Sequence, residues 1–153
     1  MPCFGNDYRS SSDFIRASQT AIGGDKSSVM RIANLRAREA LAQNLQSVIE
    51  FATEEYLVNF TGNTSQHTKS KFRDYALNYG SVALSLVNVI CEEMYEKNDG
   101  SFEFFIAIEV DTDTFIRNFD QGIRNEEIDL EFDRQQFRQI YERKIEEFNN
   151  RYY

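Results

Sequence analysis

The chain has 153 residues, of which 41% are hydrophobic and 27% charged, with seven glycines and a single proline. This composition fits one globular domain with a core of its own, and it excludes collagen-like, low-complexity and wholly disordered chains. The 25 acidic residues outnumber the 17 basic ones, which gives a net charge of −8. Because such a chain repels polyanions, nucleic acid is not an expected partner.

The first 13 residues are polar and rich in serine, aspartate and glycine, which predicts a flexible lead-in to the domain. Residues 14–22 then show partial alternation of apolar and polar side chains and stop at Gly23 and Gly24. This pattern predicts a first β-strand followed by a turn.

A long amphipathic helix is predicted over residues 25–60. This stretch contains no proline or glycine, and its apolar residues recur at steps of three and four. They are Val29, Ile32, Ala33, Ala37, Ala40, Leu41, Leu45, Val48, Ile49, Ala52 and Tyr56. Asp25 or Ser27 can cap the first turn of the helix, and Gly62 lies where the helix is expected to stop.

A second helix and a β-hairpin follow. Apolar side chains at helical spacing over residues 72–83 predict the helix. Residues 86–95 and 102–110 are rich in β-branched and aromatic side chains and are separated by a turn that contains Asp99 and Gly100. Because an Asp-Gly pair tolerates the positive φ of a tight turn, the two stretches are predicted to be antiparallel strands.

The segment after the hairpin begins with Asp111, whose side chain is placed to cap a short helix over residues 112–119. Acidic and apolar residues then alternate strictly over residues 127–133. This alternation favours an extended segment with one buried side. We expect either a fourth, edge strand of the sheet or an ordered loop there.

The chain ends in a predicted helix over residues 133–151. Asp133 and Gln136 have the spacing of a capping box. The helix carries an apolar stripe that consists of Phe137, Ile140, Tyr141, Ile145 and Phe148. If this stripe is partly exposed, it is a candidate interaction surface for a protein partner or for a second copy of the chain.

Together these elements predict an α+β fold in which residues 14–153 form a single domain. A small antiparallel sheet of three strands, with residues 127–133 as a candidate fourth strand, is expected to be covered on one face by the long helix and by the further helices.

The residue types that usually carry catalysis or bind metals are scarce. His67 is the only histidine, and it lies in a polar run without a cysteine or a second histidine nearby. We therefore predict no catalytic residues, no metal site and no cofactor. Cys91 lies in an apolar strand, which is typical of a small packed side chain, and a disulfide with Cys3 is the alternative in an oxidising compartment.

Two stretches resemble a known family. Residues 14–18 on a strand, followed after a turn by the helical sequence ANLRAREALA at residues 33–42, resemble the strand and the A-x-x-x-A-R-x-x-L-A helix of the bacterial envelope family named for a twenty-kilodalton lipoprotein. The hairpin ends in an I-x-V-D step at residues 108–111, where that family has its closing strands. The resemblance covers roughly residues 14–119. It implies a lipoprotein-like or secreted envelope module without established catalysis.

Two features of the sequence, the length of its apolar runs and the residues around Cys3, bear on whether the protein is attached to a membrane. No apolar run approaches the roughly 18 residues that a spanning helix needs, so no transmembrane segment is predicted. Residues 1–13 lack the apolar stretch of a signal peptide, and Cys3 lacks the leucine and small residues that precede a lipidated cysteine, which argues against lipid anchoring. The expected location is the bacterial cell envelope or periplasm, provided that an export signal precedes the sequence.

The leading prediction is a non-enzymatic interaction or structural module, with the terminal helix or the exposed sheet face as its contact surface. One alternative is a carboxylate-dependent hydrolase, which requires that acidic side chains of the C-terminal part converge in a buried cleft. The other is a small-ligand or peptide carrier, which requires an apolar cavity between the helix and the sheet.

Overall fold

The computed structural model describes the backbone of residues 1–152 and the side chains of residues 1–150. Its elements, in chain order, are β1 (Phe14–Gly23), α1 (Lys26–Phe60), α2 (Gln66–Ala83), β2 (Asn88–Glu96), β3 (Phe102–Asp111), α3 (Thr112–Asn125) and α4 (Arg134–Tyr152). The predicted α+β class is confirmed. Tyr153, with which the predicted domain ends, lies outside the described residues.

The sheet has three antiparallel strands in the order β1-β3-β2, so β3 is central and both β1 and β2 are edge strands. The predicted hairpin joins β2 to β3. At its turn the amide of Lys97 donates to the carbonyl of Ser101 at 2.7 Å, and Gly100 takes a φ of 85°, which favours glycine.

The predicted long helix is confirmed as α1. Its first turn is capped by Asp25, whose Oδ2 accepts from the amide of Ser28 at 2.9 Å. Ala33, Ala37 and Leu41 are fully buried where α1 lies along β1 and β3. The two alanines are small enough to let the helix axis lie close to the sheet.

Aromatic side chains from four helices fill the space beyond the sheet. Phe119 of α3 stacks on Phe137 of α4 with ring centroids 4.8 Å apart, and Phe115 stacks on Tyr141 at 4.7 Å. Tyr56 of α1 and Phe72 of α2 contact the same cluster. Burial of large aromatic rings, worth several kcal/mol in sum, holds the helices to one another.

The apolar stripe of α4 belongs to this core. Phe137, Ile140, Tyr141 and Ile145 are at most 3% exposed, and Phe148 is half-buried. Our prediction that the stripe is an interaction surface is therefore wrong, because α1 and α3 already cover it.

The N-terminal segment is ordered, in contrast to the predicted flexible lead-in. Cys3 is 2% exposed and is bonded to Cys91, on the sheet face opposite α1. The hydroxyl of Ser18 donates to the carbonyl of Cys3 at 2.6 Å, and Nη1 of Arg16 donates to the carbonyl of Asp7 at 3.1 Å. Residues 1–13 therefore form a strap across the outer face of the sheet.

Residues 127–133 form an ordered loop and no fourth strand. Ile128 is 7% exposed and packs in the helical core, and the amide of Asp133 donates to the hydroxyl of Tyr56 at 2.8 Å. The alternation therefore reflects one-sided burial of a loop. Helix α3 also runs further than the predicted residues 112–119, because Ile123 extends its buried face.

Candidate functional site

The edge strand β2 is the least covered element of the sheet. Helix α1 lies along β1 and β3, and most side chains of β2 remain exposed. The register pairs Val89 with Ile108 and Met94 with Phe104, and these β3 residues face α1. Because paired residues in antiparallel strands share a face, Val89 and Met94 also point to the helix side.

We call this opening the α1–β2 trough. One wall consists of the helix-side residues of β2, which are Val89, Glu92, Met94 and Glu96. The other wall is the flank of α1 that carries Met30, Asn34 and Arg38, with Arg31 and Leu35 at its outer rim on the side of the helix away from the sheet. These five α1 residues line a shallow depression of about 440 Å³.

Two contacts place the first half of α1 near β2. At one end, Nη1 of Arg38 donates to the carbonyl of Leu84 at 3.3 Å, four residues before β2 begins. At the other end, Nζ of Lys26 lies 5.1 Å from the ring centroid of Phe102, which pairs with Glu96. Both contacts are with neighbours of β2, namely the segment before it and the central strand β3, and they place this flank of α1 on the same side of the sheet as the helix-side residues of β2.

Apolar side chains are exposed on both walls. Leu35 is 58% exposed, Met30 is 43% exposed, and Val89 is 47% exposed. Single exposed apolar residues are common on protein surfaces, but three of this size on adjoining walls form a candidate contact surface.

The two walls carry opposite charge. The flank of α1 carries Lys26, Arg31 and Arg38, and the helix side of β2 carries Glu92 and Glu96. Arg36 lies on the other flank of α1, where it donates to the carbonyl of Thr20 in β1, and Glu93 and Glu103 lie on the outer face of the sheet. Among the side chains of residues 1–150, no ion pair within 4 Å engages Arg31, Glu92 or Glu96. The trough thus presents exposed charges that have no ion-pair partner within 4 Å among the described residues, although Arg31 acts electrostatically on Asp25.

The N-terminal strap covers part of the outer face of the sheet, whereas Ile22 and Tyr95, at the end of this face near the turn between β2 and β3, remain about half exposed. Nε of Arg16 donates to Oε1 of Glu109 at 3.0 Å, and both side chains are less than one fifth exposed. Below this pair, Cys3 packs with Phe105 and Ala107 in a second, small apolar cluster. The sheet face that was predicted to be exposed is this outer face, and the structure shows that the strap covers a part of it.

The acidic side chains do not converge in a buried cleft. Glu109 is paired with Arg16, and the buried carboxylate of Asp120 is paired with Arg134 at 2.7 Å and with Arg124 at 3.4 Å. Twelve acids among residues 92–150 are exposed, and these are Glu92, Glu93, Glu96, Asp99, Asp113, Glu126, Glu127, Asp129, Glu131, Asp133, Glu146 and Glu147. Each buried carboxylate therefore serves as one half of a structural ion pair.

The space between α1 and the sheet is filled. Ala37 and Leu41 on the helix and Ile106 and Ile108 on β3 are at most 1% exposed. A depression of about 340 Å³ lies elsewhere, between α2 and the loop after α3, and Tyr79 contributes to its wall. The apolar cavity that a carrier requires is thus not formed at the predicted place.

Buried tyrosines surround that second depression. Burial raises the pKa of Tyr79 to about 12. The hydroxyl of Tyr75 donates to the carbonyl of Phe119 at 2.7 Å, whereas the hydroxyls of Tyr79 and Tyr141 make no hydrogen bond within the described residues. These groups are proton-bearing and neutral at physiological pH, so they offer packing rather than acid–base chemistry.

Sequence reasoning missed the trough. Ile32 was expected in the core with Ala33 and Ala37, yet it is 40% exposed. A signal for the trough was present, because Met30 and Leu35 lie outside the step-of-four line of residues that packs on the sheet, whereas Ile32 lies on the other flank of the helix, towards β1. An excess of apolar residues around one helix indicates a second covered or contacting face.

No protein-family model matches the chain, and no curated protein matches it either. The resemblance to the twenty-kilodalton lipoprotein family therefore stays a prediction. None of the helices that the structure describes combines the length and the apolar character that crossing a membrane requires.

Proposed function

We propose that this chain is a non-enzymatic interaction module of the bacterial cell envelope, or a secreted one, and that its contact surface is the α1–β2 trough. The observation that carries the proposal is the exposure of apolar side chains and of charges without an ion-pair partner among the described residues, together on the helix side of the edge strand β2 and on the neighbouring flank of α1. Surfaces of this kind are typical of protein contacts, with apolar anchors inside a charged surround.

The Cys3–Cys91 disulfide supports an extracytoplasmic location. Disulfides persist in the periplasm and outside the cell and are rare in the reducing cytoplasm. This bond joins the two cysteines of the chain and closes the strap over the sheet. An envelope module exposed to proteases gains from a cross-link that holds its terminal segment in place.

The disulfide also bears on anchoring. A sulfur atom that is bonded to another cysteine cannot carry a lipid thioether at the same time. In the oxidised protein, we therefore expect that Cys3 is not the attachment point of a lipid, in contrast to the lipidated cysteine that the resemblance to a lipoprotein family suggests.

The location is tested by producing the chain with a cleavable export leader in a bacterial host and, in parallel, in the host cytoplasm. Free thiols are counted by alkylation and mass spectrometry, with Cys91→Ser as the matched control. We expect no free thiol in the exported protein and higher resistance to proteolysis than in the control. Cysteines that stay reduced after export, or equal resistance of the two proteins, would contradict the proposed location.

A further inference from the structure

We propose that the α1–β2 trough is self-complementary, and that two copies of this chain associate across it with the basic flank of α1 in each copy against the acidic β2 of the other. The inference rests on the proposed function, since it assigns a partner to the contact surface proposed there.

The first argument is the placement of the charges. The basic flank of α1 and the acidic strand β2 lie on the same side of the sheet, and the contacts of Arg38 with Leu84 and of Lys26 with Phe102 join that flank to the segment before β2 and to the strand next to it. When a two-fold axis lies in the interface along the boundary between the two patches, the basic patch of each copy faces the acidic patch of the other copy. Such an isologous contact closes on itself and gives a dimer rather than a fibre.

The second argument is that the charges are available. Arg31, Glu92 and Glu96 are exposed, and within the described part of the chain none of them has an ion pair. Association can therefore add charge pairs without breaking pairs inside each copy. Opposite potentials across an interface mainly set its register and speed encounter.

The third argument is the position of the apolar anchors. Leu35 and Met30 lie on the basic wall, and Val89 lies on the acidic wall. The same two-fold contact that pairs the charges therefore removes apolar surface of both walls from water, which is the main favourable term in association.

Edge-to-edge pairing of two β2 strands is a competing mode, and the chain disfavours it. Such pairing would bring the glutamates of two identical acidic strands together, which is repulsive. The register shift between Val89 and Cys91 also bends the strand, and bulges of this kind protect sheet edges from continuous pairing.

The test is sedimentation velocity on the oxidised full chain over a range of concentrations. The variant Glu92→Lys/Glu96→Lys reverses the acidic wall and changes the net charge from −8 to −4. Its matched control, Glu131→Lys/Glu146→Lys, gives the same net charge from exposed positions outside the trough. We expect a monomer–dimer equilibrium for the wild type and the control, and a monomer for the trough variant.

A second variant keeps the test independent of any single substitution. Arg31→Glu/Arg38→Glu reverses the basic wall and is expected to be monomeric alone, with circular dichroism as the check on its fold. When the two trough variants are mixed in equal amounts, their walls become complementary again, so we expect a heterodimer.

Three results would overturn the inference. They are a wild type that stays monomeric at its solubility limit, dimers that survive both charge reversals, and a control that loses the dimer as fully as the trough variant. A monomeric wild type would overturn self-association alone and leave the export experiment, which tests the proposed function, unaffected. Cysteines that stay reduced after export would in turn contradict the location and not the dimer.

Discussion

Cys3 is joined to Cys91 by a disulfide that crosses from the N-terminal strap to the edge strand β2, with a sequence separation of 88 residues. The bond lies over Phe105 and Ala107, so it holds the strap against the outer face of the sheet. One covalent link thus helps to cover the part of the outer face around Phe105 and Ala107, which α1 cannot reach from the other side of the sheet.

Removal of this link is expected to destabilise the domain substantially. A cross-link over so long a loop restricts the unfolded chain, and the loop-entropy model puts its contribution at about 4.6 kcal/mol. Cys91→Ser, or reduction of the wild type, should lower the urea midpoint accordingly. Reductant should not change the midpoint of the variant. A wild type whose midpoint is the same with and without reductant would contradict this expectation.

The ion pair beneath the strap gives a second prediction. Arg16→Met leaves the carboxylate of Glu109, which is 12% exposed, without its guanidinium partner. We expect a loss of about 3 kcal/mol, because an unpaired charge at a mostly buried position is costly. The double variant Arg16→Met/Glu109→Met should recover most of the loss in urea unfolding. Equal midpoints for the single and the double variant would show that the charge is not the cause.

Gly122 of α3 lies against a tyrosine. A Cβ at this position would be 1.9 Å from the hydroxyl oxygen of Tyr75, which donates to the carbonyl of Phe119. Gly122→Ala should therefore destabilise the domain by about 1–3 kcal/mol, although alanine is the better helix former. When Tyr75 is also replaced by phenylalanine, which lacks the hydroxyl group, the loss of stability caused by Gly122→Ala should be smaller. A Gly122→Ala variant that is more stable than the wild type would contradict the expected steric clash with Tyr75.

The raised pKa of Tyr79 leads us to expect that the folded domain loses stability at alkaline pH. Burial raises its pKa to about 12 from the ordinary value of 10. Because the folded pKa is the higher one, the stabilisation is complete below pH 10 and is lost as the pH rises towards 12, by about 1.4 kcal/mol per pH unit for one group. Urea unfolding from pH 9 to 12 measures this slope. Tyr79→Phe should make it shallower, and an unchanged slope would assign it to other groups.

Much of the fold was predictable because it follows from local patterns. The step-of-four apolar line of α1, the Asp99-Gly100 turn and the alternation in β1 each specify one element without help from distant residues. The α4 stripe was also recognised as apolar. The helices that cover this stripe could not be predicted, since an apolar pattern within one helix does not say whether its own chain or another chain covers that face.

The features that sequence reasoning missed depend on contacts between distant segments. The strap of residues 1–13 looks flexible by composition, and only the position of Cys91 on the sheet fixes it. Residues 127–133 alternate between apolar and acidic side chains as a strand does, but no neighbouring strand among the described residues pairs with them. They contact Tyr56 and pack against the helical core instead. The trough exists because α1 covers only two of the three strands, and the sequence pattern of a helix does not show which strands it will cover.

Amide hydrogen exchange, measured by mass spectrometry in dilute and concentrated solutions of the oxidised protein, tests most directly whether the trough is a contact surface. We expect slower exchange at high concentration in residues 88–96 and 26–38, because association covers these two walls and suppresses their local opening. Residues 51–60, at the far end of α1, should exchange at the same rate in both solutions. Exchange in the trough that is independent of concentration, or slowing that is equally strong in residues 51–60, would contradict the role proposed for the α1–β2 trough.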